Sequence, residues 1–377
     1  MSREKPVILL VDDEPDQLRA FADEITRRGH AEAATIPPEA LEEGMLEKAD
    51  LVCMDLSLEH WSAPPAFTKL KAQPLRGLGL TGALEEHVQQ EYPKRAIAFA
   101  LYSGKVDLIA KNLRGGDHVI ARVHNVEWVF RKRQDELEIA RLVTLAKAVA
   151  MLPAEWPAEG GKIRKAAADW LALGDDQTWS ERAWLDVEDC HPPVHGISAH
   201  TRGTAFLRWM LQRILPYPTA LIDLYHLAAR LRVKPASLSK SLSEPGALRE
   251  LLAPALYGGQ LSEFGGPHWW RAGVNAQLFD LGAASPGDLE LLRTKLIAMA
   301  GDLETVDAEQ PVVVLGPDLV PQAALSSIED AVRVQPDDWP PFASPAWMRI
   351  DVVAGDEDLR GLVIEDDRDR VPAEGLK

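Results

Sequence analysis

Five apolar residues, VILLV at positions 7–11, stop abruptly at Asp12, Asp13 and Glu14. This junction narrows the folds open to the chain more than any other stretch. A run of β-branched and leucine residues without polar alternation suits a strand covered on both faces, as in a parallel sheet. Pro15 and Asp16 then fit the first turn of a helix, where proline is tolerated and an acid favours the dipole. Acids at the carboxyl end of a buried parallel strand sit where open α/β sheets keep their ligands. A helix-capping acidic loop is the plainer alternative, and the other strand ends weigh between the two.

The pattern repeats over the first 130 residues. QLRAFADEITRRG reads as a helix with Leu18, Phe21, Ala22 and Ile25 on one face and Gly29 at its end. A weaker apolar patch follows at Ala31–Thr35. LVCM at 51–54 reads as a strand ending in Asp55, Ala96–Tyr102 as one ending in Ser103, and Val126–Phe130 as one leading to Lys132. Strands alternating with helical stretches predict a doubly wound α/β fold with a parallel five-stranded sheet. Arg133–Met151 reads as one amphipathic helix, with Leu137, Ala140, Leu145 and Val149 roughly on a stripe. LPAEWPAEGG then reads as a linker.

Such a sheet gathers Asp12, Asp13, Asp55, Ser103 and Lys132 at one edge. Three carboxylates there repel one another unless a cation shares them, and hard oxygen donors suit magnesium. A neighbouring lysine and hydroxyl would hold the oxygens of a phosphoryl group on one carboxylate.

DDE after a strand, MDLSL and YSG together resemble the receiver domain of two-component response regulators, over about residues 5–135. The resemblance implies a flavodoxin-like receiver sheet with Asp55 as the phosphoacceptor. It implies Mg2+ held by Asp12, Asp13, Asp55 and the main-chain carbonyl of Ser57. Ser103 would be the hydroxyl that swings toward the phosphoryl group, and Lys132 the lysine that pairs with it. The implied partner is a sensor histidine kinase or a phosphotransfer protein. The chain departs from the family in three respects. The intervals from Asp55 to Ser103 and from Ser103 to Lys132 are long, so 63–93 is expected to hold an extended helix or an insertion. Arg131, Lys132 and Arg133 run together where the family has lysine before proline, which leaves Arg131 as an alternative to Lys132. The family's switching aromatic has no clear counterpart; Trp128 is nearest in kind and equally suits the core.

The sequence divides into 1–135, a helix and linker at 136–160, and an effector region at 161–377, mainly helical to about 305 and α+β beyond. Strand-like runs there are PVVVLG, WMRIDVV and LRGLVIE. LAARLRVKPASLSKSL, 227–242, resembles a helix-turn-helix, with Ser237, Ser239 and Lys240 facing outward from its second helix; two ordinary packed helices are the plainer account. Cys190, His191, His195 and His200 are zinc-compatible types in a short span, but prolines break their register and no standard zinc spacing matches. Trp269 and Trp270 suit either a ligand surface or a core. The acidic stretch from Asp351 reads as a solvated edge. No nucleotide loop, nucleophile elbow or HExxH is present, so regulated binding to a protein partner is the leading output expectation, DNA binding the second and an effector enzyme of an unfamiliar type the third.

The net charge of −17 over 377 residues opposes non-specific binding to nucleic acid or anionic lipid by the chain as a whole. No run approaches the roughly 20 apolar residues of a membrane helix, and the apolar stretch after MSREKPV is too short for a secretory signal. Two cysteines make no disulfide framework, which fits a reducing cytoplasm.

Overall fold

A computed structural model describes residues 5–60, 76–92, 95–111, 113–153, 156–157, 160–193, 203–283, 285 and 287–372. The first part alternates strand and helix: β1 (Val7–Val11), α1 (Asp16–Arg27), β2 (Glu32–Ile36), α2 (Glu43–Leu46), β3 (Leu51–Met54), α3 (Gly77–Glu91), β4 (Ala98–Tyr102), α4 (Asp107–Ala110), α5 (Asp117–Val123), β5 (Trp128–Phe130) and α6 (Glu136–Ala150). Five parallel strands in the order β2-β1-β3-β4-β5 form the sheet. This is the flavodoxin-like order, which changes direction at β1 and β3 and leaves a crevice at their carboxyl ends.

Strand alternation sends successive side chains to opposite faces. Ile8, Leu10, Leu51, Cys53, Ala98, Ala100 and Tyr102 meet Leu18, Phe21, Ala22 and Ile25 of α1 and Ile139, Leu142, Leu145 and Ala146 of α6. Leu9, Val11, Val52, Met54 and Phe99 meet Leu46, Leu80 and Val88 on the other side. Both faces being covered explains why β1, β3 and β4 read as uninterrupted apolar runs.

The sequence division set α6 with the linker, after residue 135. The helix packs on the sheet, where its apolar stripe covers β1 and β3. Asp135 caps it, accepting the Glu138 N–H at 2.8 Å. The same core then continues past residue 160 through Trp170, Trp184, Phe206, Met210, Phe264 and Trp270 to Ala272. Trp170 Nε1 donates to the Ala148 carbonyl at 3.2 Å. Phe264 meets Trp128 edge-on at 4.9 Å, and Arg141 donates to the Phe264 carbonyl at 2.9 Å.

The later elements are α7 (Gly160–Leu171), α8 (Ser180–Asp189), α9 (Thr204–Trp209), β6 (Leu221–Asp223), α10 (Leu224–Leu231), α11 (Pro235–Ser243), α12 (Ala247–Leu252), β7 (His268–Trp270), α13 (Arg271–Gly282) and α14 (Leu289–Met299). They are followed by β8 (Pro311–Leu315), β9 (Pro321–Ser327), β10 (Ala331–Val334), β11 (Ala346–Arg349), α15 (Ile350–Ala354) and α16 (Glu357–Gly361). A mixed sheet, β10-β11-β8-β9, gathers the last strands. LRGLVIE is not a strand: Asp356 accepts the Asp358 and Leu359 N–H groups and starts α16 instead. WMRIDVV is half strand and half helix, turning helical at Ile350.

The return of the chain at Gly77 sets the rim of the crevice. Its N–H donates to the Leu56 carbonyl at 3.0 Å, and Ser57 bridges Arg76. A Cβ at Gly77 would fall 1.8 Å from the Asp55 carbonyl oxygen and 2.6 Å from Met54 Cγ. Gly77→Ala is therefore expected to push residues 76–80 off β3 and destabilise by about 2 kcal/mol, the scale of core overpacking, as read by urea unfolding.

Candidate functional site

β1 and β3 are neighbours, so their ends deliver Asp12, Asp13 and Asp55 together. One carboxylate oxygen from each lies within 4.8 Å of the other two, the one such acid, cysteine or histidine group found among the described residues. Each acid is also held by its own chain. Asp12 Oδ1 accepts the Glu14 N–H at 2.9 Å, and Asp55 Oδ1 accepts the Leu56 N–H at 2.7 Å. Asp13 Oδ2 accepts the His60 N–H at 2.8 Å, with His60 Nδ1 at 3.3 Å. Nothing in the sequence pattern marked His60, although its place five residues past Asp55 puts it on the same rim.

Lys132 enters this cluster. Its Nζ donates to Asp12 Oδ2 at 2.6 Å and lies 3.1 Å from Asp55 Oδ2. Its φ of +36° is left-handed backbone that a side-chain-bearing residue seldom adopts, and the turn so made carries the chain from β5 toward α6. Burial alone would push the Lys132 ammonium down. The hydrogen bond it donates to Asp12 and the charge of Asp55 outweigh it and hold the group above its ordinary value.

Arg131, the alternative to Lys132, goes elsewhere. Its Nη1 donates to Asp107 at 2.7 Å and its Nε to Asp117 at 2.9 Å, at the starts of α4 and α5. Ser103 follows β4 and is buried. Its N–H donates to the Phe130 carbonyl at 3.0 Å, and its hydroxyl accepts the Lys105 N–H at 3.2 Å. The Ser57 hydroxyl donates to Glu59 at 3.0 Å and accepts from Lys105 Nζ at 3.2 Å. A groove of about 510 Å3 opens here, lined by Leu56, Ser57, Glu59, Arg76, Leu108 and Ile109, so the Ser57 side is open to solvent. Trp128 is buried against Phe264.

The remaining candidates lie away from this edge. Ser237 is buried and donates to the Lys234 carbonyl rather than facing outward, and Lys240 pairs with Asp302 at 2.6 Å. Arg232, where a helix-turn-helix turn often has glycine, has a φ of +56°. Trp269 and Trp270 are buried in β7. Burial pushes the Cys190 thiol up to about 11, away from the thiolate a metal needs. His191 is exposed, while His195 and His200 lie outside the described residues. Asp367, taken with the solvated acidic edge, is buried because it accepts the Arg333 N–H at 2.7 Å and pairs with its guanidinium at 2.9 Å.

Fold and site together define an α/β protein of flavodoxin-like topology with a lysine-bridged triple-carboxylate crevice. No protein-family model, curated protein or solved structure matches this chain. No described helix is long and apolar enough to cross a membrane.

Proposed function

We propose that the chain is a response regulator, in which Asp55 accepts a phosphoryl group with the help of Mg2+ and thereby switches the rest of the chain. The observation that carries this reading is Lys132 Nζ seated between Asp12 and Asp55 beside Asp13. A cation-holding edge and a phosphate-pairing ammonium thus meet at a single carboxylate. The donor set is all oxygen and anionic, which fits Mg2+. Asp12, Asp13, Asp55 and the Ser57 carbonyl would hold the ion. When bound, it supplies charge neutralisation for the phosphoryl oxygens.

The chain's own residues do the rest. An Asp55 carboxylate oxygen attacks phosphorus as the bond from phosphorus to the donor's leaving group breaks. That group departs with the electron pair and takes a proton from solvent. The Leu56 N–H holds Asp55 Oδ1, leaving Oδ2 as the attacking atom. Lys132 then has a phosphoryl oxygen to pair with, and the Ser103 hydroxyl would offer it another hydrogen bond. The donor proposed is a sensor histidine kinase or phosphotransfer protein, and the output is binding to a protein partner. The burial of Ser237, whose hydroxyl donates to the Lys234 carbonyl, supports that output over DNA.

Incubation with a small phosphodonor and Mg2+ is expected to add one phosphoryl group, seen as a single mass increment. Asp55→Asn should lose it entirely. Equal labelling of that variant would remove the assignment.

A further inference from the structure

Arg131 and Lys132 are consecutive cations that grip two different sets of acids. Lys132 holds Asp12 and Asp55 in the crevice; Arg131 holds Asp107 and Asp117, which begin α4 and α5. The crossover helix α5 is in turn clasped by the later part of the chain. His118 Nε2 lies 3.0 Å from the Tyr217 hydroxyl, with the rings edge-on at 5.2 Å. That hydroxyl donates to Asp338 Oδ2 at 2.7 Å, and Arg122 reaches the same oxygen at 3.5 Å. Just before α5, the Gly115 N–H donates to the Asp318 carbonyl at 2.7 Å, and Arg114 pairs with Asp356 and Asp358.

We infer that Arg131 is a positioning residue that links cation binding in the crevice to the seating of Tyr217 and Asp338 on α5. This inference rests on the cation-binding reading of the site. A cation and the Lys132 ammonium are drawn to the same two carboxylates, Asp12 and Asp55, so cation entry loosens the hold of Lys132. Arg131 is its covalent neighbour and is anchored on α5. The clasp therefore favours the lysine-bridged arrangement and opposes the cation. Coupling is reciprocal, so a bound cation loosens the clasp.

The test is calorimetric Mg2+ titration of the full chain as wild type, Tyr217→Phe, Arg131→Met and the double variant. Tyr217→Phe removes the hydroxyl that joins His118 to Asp338 and changes none of the crevice acids. It is expected to bind Mg2+ about fivefold more tightly, within the usual span of coupling between sites. In the Arg131→Met background the same change should have no effect. An affinity for Tyr217→Phe within twofold of wild type overturns the inference, as does an undiminished effect without Arg131. If wild type shows no Mg2+ binding that Asp13→Asn abolishes, the site reading falls with it. Hydrogen exchange of α5 in the wild type provides a check free of variants. Faster exchange with Mg2+ is expected, and unchanged exchange overturns the linkage.

Discussion

Lys132→Met is expected to cost the fold about 3 kcal/mol without divalent cations, and most of that loss should return when Mg2+ is added. Lys132, Asp12 and Asp55 are each largely shielded, with side chains 19%, 5% and 12% exposed. Removing one partner of such a group leaves charge uncompensated, which costs more than the intact pair contributes. Methionine keeps the length of the stem and removes only the ammonium, so Asp12 and Asp55 would face each other unscreened. Mg2+ would take over the neutralising role, and ligand binding to the folded state alone adds stability by mass action. Urea unfolding with and without Mg2+ measures both effects. An undiminished deficit at saturating Mg2+ would count against a cation site.

The pH dependence follows from the direction of the Lys132 shift. Its proton is held more tightly in the folded state, so its contribution is complete below the ordinary value of 10.5. It is lost as pH rises through the raised folded value. The gap between wild type and Lys132→Met should therefore be flat at neutral pH and close only in strong alkali.

Arg208→Ala is expected to have an effect of similar size for a different reason. Glu127 precedes β5 and is 1% exposed. Its Oε2 accepts the Phe99 N–H at 2.6 Å, and its Oε1 faces Arg208 Nε at 2.8 Å. Arg208 also reaches Glu85 at 2.8 Å and Asn125 at 2.6 Å. Burial raises the Glu127 carboxyl above its ordinary value, and Arg208 is the main force against that rise. Without the guanidinium a carboxylate is stranded in the interior, at a cost of about 3 kcal/mol at neutral pH. A carboxyl raised on folding binds protons more readily in the folded state, so the penalty exists above its unfolded value. It should shrink as pH falls toward 4.5 and both states become neutral. Denaturant unfolding between pH 4.5 and 8 checks the slope. A deficit independent of pH would point to lost packing in place of lost charge compensation.

Much of the first half could be read from residue order because its signals are local. β1, β3 and β4 announce themselves through runs buried on both faces. β2, EAATI, is fainter because it is the sheet's edge and alternates in exposure. β9, PQAALSS, carries few apolar residues and is half exposed along its length, so no period-two signal marks it. At the site, the strand ends named Asp12, Asp13, Asp55 and Lys132 without the structure. They did not reveal Arg131's grip on Asp107 and Asp117, nor the His60 contact with Asp13. Those depend on which way a side chain turns at a strand end. The Tyr217 hydroxyl meeting His118 joins segments 99 positions apart, and no periodicity encodes a contact of that span.

The seat of Phe264 against Trp128 has a consequence for how this chain can be taken apart. β5 is the outer strand of the parallel sheet, and Phe264 with Arg141 closes over it. A cut near residue 150 would leave Trp128, Phe130 and the outward side of α6 facing water beside an unpaired strand, an invitation to intermolecular pairing. The crevice and the helices beyond it are thus poor candidates for cassette-style exchange: the seam would have to move together with the crevice.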